Sequence, residues 1–411
     1  MGMEKAMKNI MTAGVLLGVA GTALAGETIW KGEPPELLTA ADGRKIVSRE
    51  EWENIRRPEL LELFAREIYG RSPAAPAAVD FKVLERSENA LGGKAIRIQG
   101  DLVPRGVKLP HPWRILIYLP KNASGPVPVF WGMNFKGNQA LSADPEVLIP
   151  DWYQPKRPRG AAASRYDLDK IIDAGFGIAT MKHSDVEPDQ PGAWKDSLRG
   201  AFAVDGKLKA DDWATIAAWA WALSRGMDAF AKMPEIGPVI VWGHSRLGKT
   251  ALWAGANDPR FAAVISNDSG CAGASLFRRI LPDGKSETIG EITKRFPHWF
   301  ADNFLKYIGK EELLPVDQHE LIALCAPRPL LVASAEDDLW ADPEGEFLSA
   351  RYASPVYELY GFNGIPAAAK MPPVHSPVGS RVGYHIRSGG HDVTSCDWQA
   401  YIDFLKKNGI R

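Results

Sequence analysis

From Trp113 onward the chain is built on short, nearly unbroken apolar runs: ILIYL (115–119), VPVFWG (127–132), FGIATM (176–181), PVIVWG (238–243), AAVIS (262–266) and LLVASA (330–335). Runs this short and this rich in Val, Ile and Leu read as strands buried on both faces. Helical or loop segments separate them, and strands alternating with helices predict a mostly parallel sheet in a three-layer α/β fold. The longest predicted helix, DDWATIAAWAWALSRGMDAF (211–230), lies directly before the 238 run. Its aromatic content marks it for packing on the sheet.

Upstream the rhythm differs. A Pro-rich lead with Pro34 and Pro35 precedes a helical stretch over 48–69, RSPAAPAA (71–78) reads as a loop, and alternating segments near 81–84 and 94–99 read as strands. No internal repeat or low-complexity linker divides the chain. The expectation is a single domain over 26–411, with an N-terminal extension of about 26–110 packed on it.

The first 25 residues are of another kind: Lys5 and Lys8 precede an apolar stretch from Ile10 to Leu24 that closes on Ala23, Leu24, Ala25. That pattern predicts a secretory signal peptide cut after Ala25, and so a secreted or periplasmic protein. No later segment is long and apolar enough to span a bilayer, so no membrane contact is expected after cleavage.

With 411 residues, 45% hydrophobic and 24% charged, the chain can bury a large core, and its formal net charge of -1 gives no argument for nucleic acid as a partner. Cys271, Cys325 and Cys396 leave open one disulfide or none. No CxxC or HExxH spacing supports zinc, and no cofactor is implied. A monomer is expected.

Candidate chemistry enters at VIVWGHSRLGKTALWAG (239–255), where a strand breaks into Gly243, His244, Ser245, Arg246, Leu247 and Gly248 before a helix-forming stretch begins at Lys249. Gly243, Ser245 and Gly248 make a GxSxxG, one residue longer than the GxSxG of a nucleophile elbow but in the same setting between strand and helix. The glycines relieve crowding in a tight turn, and the helix N-terminus offers N–H groups to a developing oxyanion. A serine that merely capped the helix would not need both glycines. Among eight histidines His391 stands out, in the Gly-rich loop SGGHDVTSCDW after the strand-like GYHIR (383–387). His375, in a Pro-flanked loop, and His385, inside the strand pattern, are its rivals. Two places qualify for the acid: SAEDDLWADP, with Asp337, Asp338 and Asp342, and NDSGCAG, with Asp268.

With these residues placed, the chain resembles the bacterial glucuronoyl esterases, carbohydrate esterases that cleave esters between glucuronic acid on xylan and lignin alcohols. The resemblance runs from about Trp113 to the C-terminus. It is carried by GMNFKGN (132–138), WATIAAWAWALSR (213–225), GHSRLGKTALWA (243–254), NDSGCAGASL (267–276), HWFADNF (298–304), DDLWADPEGEF (337–347) and GGHDVT (389–394). It implies an α/β-hydrolase fold, with Ser245 as nucleophile and His391 as base. It makes Arg246 an oxyanion-hole donor, Lys249 a contact to sugar hydroxyls, and Trp340 a wall of the uronate site. Members often carry Glu at the first acid position, and 268 minus 245 puts Asp268 at that distance of 23 residues, one methylene shorter. Bacterial members can place the acid after the next strand, where Asp338 stands. Asp338 is therefore favoured, with Asp268 as partner or substitute. Fungal members have a cysteine before the serine, tethered to the histidine loop; here it is His244. An acetyl xylan or other plant-wall esterase, a prolyl-peptidase-like hydrolase and an inactive carbohydrate-binding relative are the alternatives.

Overall fold

The computed structural model describes residues 27–411, so the predicted signal peptide over 1–25 lies outside the described residues. Within them, every apolar run named above begins within two residues of a strand start. The strands of the main sheet are β1 (Val79–Ala90), β2 (Ala95–Pro104), β3 (Trp113–Pro120), β4 (Val127–Asn134), β5 (Gly177–Lys182), β6 (Ile236–His244), β7 (Ala263–Asn267), β8 (Leu330–Ala335), β9 (Val378–Gly379) and β10 (Val382–Arg387). Their order across the sheet is β9-β10-β8-β7-β6-β4-β5-β3-β2-β1. From β10 to β5 all neighbours run parallel, while β3, β2, β1 and β9 pair antiparallel. The two strands of the extension, β1 and β2, enter this same sheet through β3.

Because side chains alternate along a strand, the continuous runs feed two cores. On β6, Val239 and Val241 face one core, and Ile240 and Trp242 the other. The first is covered by α1 (Thr215–Phe230), α2 (Arg246–Asn257) and α3 (Pro343–Leu359), the second by α4 (Ser395–Lys407). Trp398 of α4 sets its ring edge-on to Phe130, centroids 5.1 Å apart, and to Trp242 at 4.7 Å.

Two helices differ from expectation. α1 starts at Thr215, four residues late, because the predicted first turn finds partners elsewhere: Ala214 N–H donates to Tyr69 O at 2.9 Å and Asp212 bridges to Arg71. The longest helix among the described residues is α3 at 17 residues, against 16 for α1. Pro355 inside it reads as a breaker in sequence, yet Asp342 caps its start by accepting from Gly345 N–H at 3.2 Å, and Pro343 stands where no N–H partner is needed.

The strand-to-helix turn is completed in one residue. Ser245 alone carries the left-handed backbone, φ 59° and ψ −132°, and α2 begins at Arg246, three residues before the expected start. The flanking glycines serve close approach. A Cβ on Gly243 would lie 1.9 Å from the carbonyl oxygen of Leu247, and one on Gly248 would lie 2.9 Å from Ser269 Cβ. Gly243→Ala is therefore expected to cost about 3 kcal/mol of stability, since backbone cannot step aside as a side chain can. A urea midpoint equal to wild type would refute this reading of the turn.

Candidate active site

The Ser245 seat is built from backbone. Its N–H donates to Asn267 O at 2.9 Å, across to the end of β7, and its carbonyl accepts from Gly248 N–H at 2.8 Å. These bonds hold a serine in a conformation that costs roughly 1–3 kcal/mol. Among the described residues the Ser245 hydroxyl has no hydrogen-bond partner. It lines a cavity of about 400 Å³ together with Arg246, Lys249, Asp268, Trp340, Asp338 and His391.

The parallel pairing of β8 and β10 continues beyond both strands: Glu336 N–H donates to Arg387 O at 2.9 Å and Asp337 N–H to Gly389 O at 3.1 Å. The acid loop and the histidine loop are thus zipped together just before their functional residues. His391 Nδ1 lies 2.6 Å from Asp338 Oδ2. A carboxylate only accepts, so Nδ1 carries the proton and Nε2 keeps its lone pair. The Asp338 side chain is 5% exposed and that of His391 42%, so the acid is sheltered and the base open to the cavity.

Asp268 enters the same cavity but holds nothing. Neither of its carboxyl oxygens has a hydrogen-bond partner among the described residues; His244 Nδ1 is 3.8 Å away and Arg387 Nη2 3.5 Å. Burial, with Glu346 and Asp338 nearby, pushes its pKa well above the usual carboxylate range. One metal-capable atom from each of Asp268, Asp338 and His391 lies within 4.8 Å of the others, and Asp338 and His391 are already bonded to each other. His244 sits beneath His391, ring centroids 4.5 Å apart, with its Nδ1 2.6 Å from Asn267 Oδ1. Burial, with His391 beside it, holds its pKa well below the ordinary value, so it stays neutral. The rivals stand elsewhere: His385 lies in β10, its Nε2 3.6 Å from Asp397 and neither ring nitrogen hydrogen-bonded among the described residues, and His375 Nδ1 lies 3.3 Å from Cys396 Sγ. Asp342 caps α3 and pairs with Arg279. All three cysteines are free thiols.

The opposite wall is cationic but neutralised. The Arg246 guanidinium lies over Trp299 at 4.6 Å and Phe296 at 5.0 Å, and pairs with Asp189. Asp189 also accepts from His298 Nε2 at 2.8 Å and Trp299 Nε1 at 2.6 Å. Burial opposes its ionisation, yet these bonds and the Arg246 charge outweigh burial and hold its pKa well below normal. Lys249, buried, donates to Ser269 O at 2.5 Å and pairs with Glu287 at 3.1 Å. Glu287 accepts from Trp340 Nε1 at 3.2 Å, and its N–H donates to Trp340 O at 2.9 Å, so it orients both Lys249 and the indole. Arg295 lies over the Trp340 ring at 5.3 Å. Asp189, Glu287 and Arg295 were not singled out from the sequence. His298 and Trp299 lay within HWFADNF, but without a role. A charged residue in the loop after β5, at the carboxyl edge of the sheet, was the available sign for Asp189; Glu287 sits in a stretch without pattern.

Residues 168–361 match a family model described as "Glucuronyl esterase, fungi". A carbohydrate esterase from an unknown prokaryotic organism is 43% identical over 387 residues, 90% of this chain and 88% of that protein. A solved glucuronoyl esterase from Solibacter usitatus is 41% identical with a TM-score of 0.85, covering 92% of this chain and 98% of that one. The chain belongs to the glucuronoyl esterase family. A 4-O-methyl-glucuronoyl methylesterase of Schizophyllum commune, 26% identical over 90% of this chain and 79% of its own length, is a more distant relative. Family membership makes the protein a carboxylic ester hydrolase and agrees with the α/β-hydrolase fold that the resemblance implies and with the mostly parallel sheet expected from the strand pattern.

Beneath the site of this family member lies Glu346 of α3, wholly buried, accepting from the N–H groups of Ser269 and Gly270 at 2.8 and 2.9 Å and from Ser334 Oγ at 2.5 Å. Burial outweighs these bonds and pushes its pKa up from 4.5 to about 7. Between those two values the folded protein keeps a proton that the unfolded chain has lost, so stability falls as pH rises through the window and levels off above it. Glu346→Gln keeps the acceptor for the two N–H groups, and its pH profile of stability is expected to be flatter over that range. Urea denaturation across a pH series measures this; an unchanged slope would remove Glu346 as its source.

Proposed function

We propose that this protein hydrolyses esters of glucuronic acid, with Ser245 as nucleophile, His391 as base and Asp338 as the orienting acid. The observation that carries the reading is the 2.6 Å His391–Asp338 bond at a cavity that also holds the elbow serine and Arg246. His391 Nε2 takes the Ser245 proton as Oγ attacks the C6 carbonyl. Arg246 and the N-terminal N–H groups of α2 stabilise the oxyanion, and the alcohol leaves with the proton from His391. Water, deprotonated in turn by His391, then frees the uronic acid. Asp338 orients the ring through Nδ1 and stabilises the imidazolium as it forms. Asp268, one hydrogen bond short of His391, is a reserve carboxyl rather than the main acid.

Lys249, fixed by Glu287, is the contact for sugar hydroxyls, and Trp340 forms the wall for the ring. The kinship to glucuronoyl esterases supports a glucuronate ester of xylan, with a lignin alcohol as the leaving group. Such a substrate lies outside the cell, in keeping with export through the predicted leader over 1–25. All the residues invoked come from one chain, and we propose that it acts as a monomeric, single catalytic domain. Among the described residues no helix is long and apolar enough to cross a membrane.

A plant-wall acetyl esterase would use the same serine and histidine but gain nothing from Lys249 and Trp340. Comparing a methyl glucuronate ester with an aryl acetate separates the two, and a higher kcat/KM on the acetate would sink the uronate reading. Arg246→Ala is expected to fold and to lose about 10²- to 10³-fold in turnover; wild-type turnover would remove Arg246 from the oxyanion hole. Trp340→Ala should raise KM for the uronate ester and leave the acetate unaffected, and equal effects on both would deny it a place against the sugar.

A further inference from the structure

Arg387, the last residue of β10, is 2% exposed and lies between the histidine loop and α4. Its Nε donates to Asp397 Oδ2 at 2.6 Å. Its Nη1 donates to the Ser388 carbonyl at 2.9 Å, and its Nη2 to the Gly390 carbonyl at 3.1 Å and to the Asp392 carbonyl. One guanidinium therefore grips the backbone on both sides of His391. The anchor is itself held, since Asp397 Oδ2 accepts from Thr394 N–H at 2.8 Å and Thr394 Oγ1 at 2.9 Å in the capping box that starts α4. Besides Arg387, the loop is tied by Asp337 N–H donating to the Gly389 carbonyl at 3.1 Å, by Arg165 pairing with Asp392 at 2.6 Å and by the His391–Asp338 bond, but none of these spans residues 388 to 392. Gly389, at φ 93°, and Gly390 offer no side chains to pack, and no disulfide reaches the loop because the cysteines are free.

We infer that Arg387 is the positioning residue for His391: by binding the carbonyls of residues 388, 390 and 392 it sets where the imidazole stands relative to Ser245 and Asp338. A planar fork with five donors can do this in a way a single ammonium cannot. The inference rests on the reading of His391 as the base. Its geometric part, the registration of His391 against Asp338, does not depend on which ester is cleaved. A displacement of the base by even 1 Å costs on the order of 10²-fold in rate.

Arg387→Lys keeps the charge beside Asp397 and loses the fork. Its expected signature is a fall in kcat of about ten- to a hundredfold on a glucuronate ester with KM within a factor of about two. The far-downfield proton resonance of the His391 Nδ1–H···Asp338 bond should be lost or broadened, while circular dichroism stays that of wild type. In Arg387→Ala, added guanidinium ion should restore part of the turnover where equal sodium chloride does not. Should Arg387→Lys fail to fold, Asp397→Asn, which frees the guanidinium from its anchor, should give the same split to a smaller degree. Wild-type kcat together with an intact downfield resonance in whichever variant folds would overturn the inference. So would, in a variant that folds, a fall in kcat that correcting for the amount of folded protein removes. An inactive wild-type enzyme with a resonance that still depends on Arg387 would count against the proposed reaction and leave the positioning role standing.

Discussion

Everything at the carboxyl edge of this sheet depends on the passage from β6 to α2 within one residue. The bond from Ser245 N–H to Asn267 O ties the turn to the neighbouring strand, and the near contact of Gly243 with the Leu247 carbonyl closes it. Once that turn is made, the start of α2 is fixed, and with it the directions in which Arg246 and Lys249 leave the helix. The partners of those two cations are then recruited from distant segments, Asp189 from the loop after β5 and Glu287 from the stretch before residues 289–295. The site is thus assembled outward from backbone geometry, with side-chain chemistry added last.

The charges around the cavity follow from the burial of the groups that carry them. A buried ion without a partner would be costly, and nearly every one here is matched: Arg246 with Asp189, Lys249 with Glu287, Arg387 with Asp397. Asp268 is the exception, and its behaviour is what the rule requires, since a carboxyl that cannot find donors takes up a proton instead. Two carboxyl groups follow adjacent strands, and only the one whose loop continues the β8–β10 ladder meets the histidine.

Much of this could be read from the chain alone, for reasons tied to particular residues. The strands of the parallel sheet are legible because burial on both faces demands unbroken Val, Ile and Leu, and Ser245 is legible because tight turns demand glycine at two fixed places. Helix α3 was not, since Pro355 hides it and only a cap at Asp342 and packing against β8 and β10 sustain it. The choice between Asp338 and Asp268 stayed open because it turns on two backbone bonds past the strand ends. Asp189 and Glu287 were out of reach, for loops far apart in sequence carry no periodicity to announce what they will face.

The pairing of Lys249 with Glu287 has a consequence for what leaves the cavity. An ester enters uncharged, and hydrolysis turns it into an anion in a chamber where the two cations of α2 have already spent their charge on carboxylates and where Asp338 is close by. The newborn acid therefore meets no unpaired cation on α2, while water outside solvates it well. Pairing the lysine with Glu287 offsets its charge, so the anionic product is held less tightly than an unpaired ammonium would hold it.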